Sequence, residues 1–201
     1  MGATLNTCRR WSGAEMDDAP SSLIIRPATG ADLEALGRLG ALLVQEHHDF
    51  DERRFLAATS RTPDDYASFL GSQLDNPEVV VFVAEYGPVI GYAYAALEGY
   101  DYMWLRGPAA VLHDLIVHPD YRGRGVGRQL LNATISYLTS RGAPRIVLST
   151  AERNVSAQRL FERLGFRRTM IEMTREMDGP RTLNATTALN EIAPDKEKTE
   201  E

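Results

Sequence analysis

The chain has 201 residues, 43% apolar and 25% charged, the balance of a globular protein long enough to bury a core without disulfide or metal staples. Its formal net charge of −6 and pI near 5.3 argue against nucleic acid as a general partner, because phosphate binding needs a basic footprint. The longest apolar runs, such as 79–84, fall far short of the roughly 20 residues that span a bilayer, so no membrane partner is expected.

Residues 1–21 mix Gly, Ser, Asp and Pro without a sustained period and read as a flexible leader. The lone cysteine, Cys8, lies there and has no internal disulfide partner, and no basic-then-apolar segment precedes it. Both features point to a cytoplasmic protein. The Met1-Gly2-Ala3 start carries Asn6 where a myristoylation site wants Ser or Thr.

Leu23-Ile24-Ile25-Arg26 before Pro27 reads as a first strand. Thr29 and Asp32 form a capping box, after which Leu33, Leu36, Leu39 and Leu43 recur at helical spacing. Thr62-Pro63-Asp64-Asp65 starts a second helix whose apolar face is Tyr66, Phe69, Leu70 and Leu74. Between the helices lies the polar stretch Glu46-His47-His48-Asp49-Phe50-Asp51. Asn76-Pro77 turns into a β-branched strand at 79–85, and Tyr86-Gly87-Pro88 turns that strand into an antiparallel partner at 89–97. Further on come a strand at 111–117, a helix at 126–138, a short strand at 145–149, a helix at 154–164 closed by Gly165, and a last strand at 167–177. From Asp178 the pattern dissolves into a polar tail over 179–201. After Asn190 five acids face two lysines, so half of the net charge sits there. Residues 22–178 thus form one mixed α/β domain without internal repeats.

The segment His118-Pro119-Asp120-Tyr121-Arg122-Gly123-Arg124-Gly125-Val126-Gly127 joins a strand to a helix, with glycine at every second position of its end. Glycines let backbone N–H groups converge on an anion, and the helix start adds unpaired donors and the positive end of its dipole. Arg122, Arg124 and Arg128 add charge, so a diphosphate is the natural ligand. The spacing is neither the dinucleotide fingerprint nor a P-loop, since no third glycine sits three residues on and no Gly-Lys-Ser/Thr closes it.

Here the sequence resembles the GNAT superfamily of acyl-CoA-dependent N-acetyltransferases. Arg122 to Gly127 is similar to that family's Arg/Gln-x-x-Gly-x-Gly/Ala loop, and Leu112-His113-Asp114-Leu115-Ile116-Val117 resembles the strand that pairs with the pantetheine arm. Asn154-Val155-Ser156-Ala157 through Phe161 to Gly165-Phe166 resembles the family's Asn-x-x-Ala…Gly-Phe helix. The resemblance implies a mixed, mostly antiparallel sheet with flanking helices, whose central parallel strands 111–117 and 145–149 splay around acetyl-CoA. It implies cofactor contacts from Leu115, Ile116, Val117, Arg122, Gly123, Arg124, Gly125, Val126, Gly127, Arg128, Asn154, Ala157 and Phe161. Exposed strand edges in such folds also pair into homodimers.

The implied reaction is direct attack of a neutral primary amine, on a small molecule or a peptide N-terminus, on the thioester in a ternary complex. It needs a proton acceptor, donors for the oxyanion and help for the leaving thiolate. Relatives carry Glu-Asp where this chain has His113-Asp114, so the resemblance points to His113 as base, an imidazole suited to proton removal near neutral pH. Strand alternation places Asp114 on the opposite face. A backbone N–H of 115–117 would hold the oxyanion. Phe161 stands where many relatives have the tyrosine that protonates sulfur. Tyr92, Tyr94, Tyr100 and Tyr102 are the substitutes to consider. No metal is expected, because the adjacent His47 and His48 diverge on a helix end and no second ligand cluster accompanies them. Glu46, His47, Asp49 and Asp51 are candidates for attracting a cationic amine, and 45–62 with 98–109 would shape the acceptor pocket. Two rival readings remain: a non-catalytic acyl-CoA-binding regulatory domain, kept open by Phe161, and a nucleotide-phosphate site.

Overall fold

The computed structural model describes residues 22–177; the leader, the tail and Cys8 lie outside the described residues. Strand β1 (Ile24–Pro27) leads through a one-turn 3-10 helix (Gly30–Asp32) into α1 (Leu33–Phe50). The Asp32 carboxylate accepts from the Thr29 backbone N–H at 2.8 Å, the reciprocal half of the expected capping box. The buried Leu36 and Leu39 turn one face of α1 to the sheet. Helix α2 (Thr62–Gln73), with Pro63 in its first turn, crosses α1 closely. A Cβ placed on Gly40 would lie 2.2 Å from the Tyr66 ring, so only glycine fits at that crossing.

The sheet follows chain order: β1, β2 (Val79–Glu85), β3 (Val89–Glu98), β4 (Ala109–Val117) and β5 (Ile146–Leu148). Every neighbouring pair is antiparallel except β4 and β5, which run parallel. Helices α3 (Val126–Ser140) and α4 (Val155–Arg163) complete the order. Two cores flank the sheet. Leu36, Leu39 and Leu70 of α1 and α2 pack on Val81, Val83, Tyr92, Tyr94 and Ile116. Val126, Leu130, Leu131 and Leu138 of α3 with Phe161 of α4 pack on Ala93, Ala95, Leu112 and Val117. Among the described residues no helix is long and apolar enough to cross a membrane.

Two expectations are corrected. The polar stretch 46–51 is not a separate linker, since α1 runs through Phe50. No strand forms at 167–177: residues 168–177, the described part of a second unit, hold neither helix nor strand. Ile171 and Met173 alternate with polar neighbours, yet they are 86% and 90% exposed. Alternation makes a strand only where another edge takes up its backbone donors and acceptors.

Candidate functional site

The site begins at the divergence of β4 and β5. Only Ala110, Val111 and Leu112 of β4 pair with β5, so from His113 to Val117 that edge of β4 is open. The His118 N–H donates to the Ile90 carbonyl of β3 at 2.8 Å. Backbone groups alternate sides along a strand, so those of Ile116 also face β3, whereas the Leu115 and Val117 N–H groups point into the gap. Of the three strand residues expected at the cofactor, two offer backbone donors, and the Ile116 side chain lies in the core under α1 and α2.

The gap ends at the glycine loop. Gly123 and Gly125 hold φ +75° and +83°, left-handed values that favour glycine, and Gly125 is the N-cap of α3. The first turn of α3 therefore presents backbone N–H groups of Val126, Gly127 and Arg128 without helical partners at the end of the open edge, donors of a kind that can take an anion. Arg124 lies 5.5 Å from the Tyr121 ring centroid and Arg128 is exposed. Arg122 is committed elsewhere: its guanidinium makes a bidentate pair with Glu46 at 2.7 and 2.8 Å, and its Nε donates to the Val117 carbonyl. It braces the loop against the end of α1. Across the gap, the Asn154 side chain caps α4 by accepting from the Ala157 N–H at 3.1 Å, with its amide nitrogen left to donate. Ala157 is half-buried against the core. Phe161 is 7% exposed and packs edge-on to Phe166 at 5.8 Å, so it serves the core of this chain.

His113 sits at a β-bulge. Tyr94 pairs with Asp114 and Ala95 with Leu112, which leaves His113 without an opposite residue on β3. The extra residue breaks the alternation: Leu112 and Leu115, three apart, both turn to the α3–α4 core. The expectation that His113 and Asp114 occupy opposite faces is thereby corrected. The His113 ring stacks on Tyr94, with centroids 4.9 Å apart, and Tyr94 belongs to the α1–α2 core. On that same side Asp114 Oδ2 accepts from the Tyr66 hydroxyl at 2.8 Å and the Tyr92 hydroxyl at 2.9 Å. Burial pushes the Asp114 carboxyl up, and the two phenols pull the other way. Burial, with the Asp114 charge beside it, raises both phenols.

Of the four candidate tyrosines, Tyr92 is engaged with Asp114, Tyr100 and Tyr102 are exposed in the β3–β4 loop, and Tyr94 borders His113. His47 and His48 bond through Nδ1 to the Leu43 and Phe55 carbonyls, and among the described residues no three metal-ligating side chains converge.

A sequence profile of the Acetyltransferase (GNAT) family matches residues 43–166. The chain belongs to the GNAT acetyltransferase family. This GNAT member is 36% identical over 97 residues to the mycothiol acetyltransferase of Thermobispora bispora, covering 46% of this chain and 31% of that one. It is 40% identical over 57 residues to an uncharacterized N-acetyltransferase of Methanocaldococcus jannaschii, covering 28% of this chain and 25% of the relative. The chain thus matches about a third or less of the length of these relatives. A tetramutant of the BH1408 protein of Bacillus halodurans has the same fold at TM-score 0.66 and 25% identity, over 77% of this chain and 99% of the other. An aminoglycoside N-acetyltransferase in complex with CoA shares the fold at TM-score 0.58 and 22% identity, over 82% and 100%.

Sequence reasoning did not single out Glu98 and Arg106. Glu98 Oε1 lies 2.9 Å from His113 Nε2, and Glu98 Oε2 accepts from Arg106 Nη2 at 2.6 Å. Nothing local signals this contact, since the β3–β4 loop and the bulge together bring the three residues to one place.

Proposed function

We propose that the protein transfers an acetyl group from acetyl-CoA directly to a primary amine within a ternary complex. One observation carries the reading: the open β4 edge, with the Leu115 and Val117 N–H groups free, runs straight into the left-handed glycine loop at the start of α3. An extended amide-bearing arm fits the edge and a diphosphate fits the loop, and family membership supports acetyl as the group carried.

Acetyl-CoA supplies an activated thioester carbonyl. On this reading the Leu115 and Val117 N–H groups and the Asn154 amide bind and orient it, and Gly123, Gly125 and the first turn of α3 hold its phosphates. His113, exposed on the α1–α2 side, takes the proton the amine loses as its nitrogen bonds to the carbonyl carbon. Helix α4 has no proton donor for the departing sulfur at Phe161, so that proton comes from solvent. A thiol with a pKa of about 8.5 leaves tolerably well unaided.

The same phenylalanine favours a second reading, a domain that binds acyl-CoA without turnover. Release of CoA from acetyl-CoA across polyamines, aminoglycosides, amino acids and short peptides decides between them. We expect at least one amine to raise release several-fold, and His113→Ala to lower that rate by about 100-fold or more. Binding of acetyl-CoA with no release across the panel would leave the second reading or an acceptor outside the panel, and Phe161→Tyr is the variant to test next.

A further inference from the structure

His113 has one ring nitrogen engaged and one free. Its Nε2 faces Glu98 Oε1 at 2.9 Å, and among the described residues no partner is found for Nδ1. An ionised carboxylate only accepts hydrogen bonds, so a neutral imidazole beside it carries its proton on Nε2 and presents the Nδ1 lone pair outward. The stack on Tyr94 keeps the ring in that plane.

Glu98 is itself fixed. It ends β3, and its second oxygen accepts from Arg106 Nη2 at 2.6 Å. Arg106 is only 14% exposed and lies 3.6 Å from Asp101. The Asp101 and Arg106 backbones exchange two hydrogen bonds of 2.8 Å, and Asp101 Oδ1 accepts from the Met103 and Trp104 N–H groups. The loop accepts two costs to hold Arg106 there. Leu105 sits at φ +50°, and Arg106 Nη1 is buried without a partner. Such costs persist where the surrounding structure over-determines a position, and here that position is the one that grips Glu98.

We propose that Glu98, gripped by Arg106, is the positioning residue of His113, selecting the tautomer in which Nδ1 accepts the amine proton. The inference rests on the reading of His113 as base. When Nδ1 takes the proton, the imidazolium donates from Nε2 to Glu98, which stabilises the charge as it forms and holds the ring in place. The other charged and titratable groups around the ring are Tyr94 of β3, Asp114 of β4, Arg106 and Asp101 of the loop and, through Asp114, Tyr66 of α2, Tyr92 of β3 and His47 of α1. None of these touches Nε2.

The test has two arms on the full chain. In imidazole 15N NMR the chain has four histidines to assign, and neutral His113 should be the Nε2–H tautomer in the wild type. In Glu98→Gln, whose amide can donate as well as accept, the signal should move toward the Nδ1–H tautomer. In kinetics, Glu98→Gln should lower kcat by about 10- to 100-fold with the KM for acetyl-CoA unchanged. An Nδ1–H tautomer in the wild type would overturn the proposal, as would a Glu98→Gln enzyme with wild-type kcat. If His113→Ala kept full activity, the base reading would fail, while the tautomer spectrum would still report on Glu98. Thermal midpoints of the variants separate a lost tautomer from a lost fold.

Discussion

Asp32 and Asp114 are both buried carboxylates with opposite responses to pH, Asp32 through its partner Arg26 and Asp114 through burial that outweighs its two phenol partners. Asp32 receives both terminal nitrogens of Arg26 at 2.8 Å, and that pairing, with the Thr29 bonds and against the cost of burial, brings its pKa down to about 2. A lowered carboxylate contributes stability that is present above its unfolded value near 3.9 and fades as pH falls toward the folded value. Asp32→Asn should therefore lose about 1–2 kcal/mol at pH 7, discounted for an Arg26 side chain that is 32% exposed, with the gap to wild type closing near pH 2. Urea unfolding across pH measures it, and a gap that stayed constant would locate the effect in the cap. Asp114 runs the other way. Its raised pKa means the native state keeps a proton the unfolded chain has released, so the stability it lends is complete below the unfolded value and declines as pH rises through the folded one.

At the scale of elements, the α1–α2 crossing governs how Asp114 and the bulge are held. Tyr66 lies over Gly40 and donates to Asp114, so the helix pair and β4 meet through one side chain. Gly40→Ala puts a methyl group into that ring and should cost about 1–3 kcal/mol by overpacking. It should also lower transfer activity, because Tyr66 shifts away from β4. Tyr66→Phe, which keeps the ring and removes the hydrogen bond, separates the two effects. If Gly40→Ala lost stability at full activity, Tyr66 would matter only for packing. These elements differ in how far local sequence reveals them. Leucine spacing and Pro63 place α1 and α2, and Asn76-Pro77 and Gly87 place the turns around β2. The end of α1 is hidden because its supports are remote: Glu46 pairs with Arg122, 76 positions away, and the Phe50 carbonyl accepts from Arg153, 103 positions away. The bulge is hidden because simple alternation through β4 puts the adjacent polar residues His113 and Asp114 on opposite faces, and no local residue marks His113 as the extra one.

The whole folded unit records whether the gap and the loop act as one binding site. The loop was legible because glycine spacing and a helix start are local facts, whereas the His113–Glu98–Arg106 chain exists only after β3, β4 and their loop have closed. A ligand that uses the open edge of β4, the start of α3 and the cap of α4 ties together elements from distant parts of the sequence. Its binding free energy must then appear as stability of the fold. At about 100 times its Kd, CoA should add about 2.7 kcal/mol, a rise in Tm of about 5–10 °C for a domain of this size. Gly125→Ala should lower the starting Tm, since φ +83° costs a side chain about 1–2 kcal/mol, and should blunt the rise by distorting the phosphate donors. ATP separates the two halves of the site, because it carries phosphates for the loop and no arm for the β4 edge. At the same concentration it should move Tm by less than a third of the CoA shift. Equal shifts from ATP and CoA would mean that the loop binds phosphates alone, leaving the open edge of β4 without a ligand and the acetyl-transfer reading without its donor site.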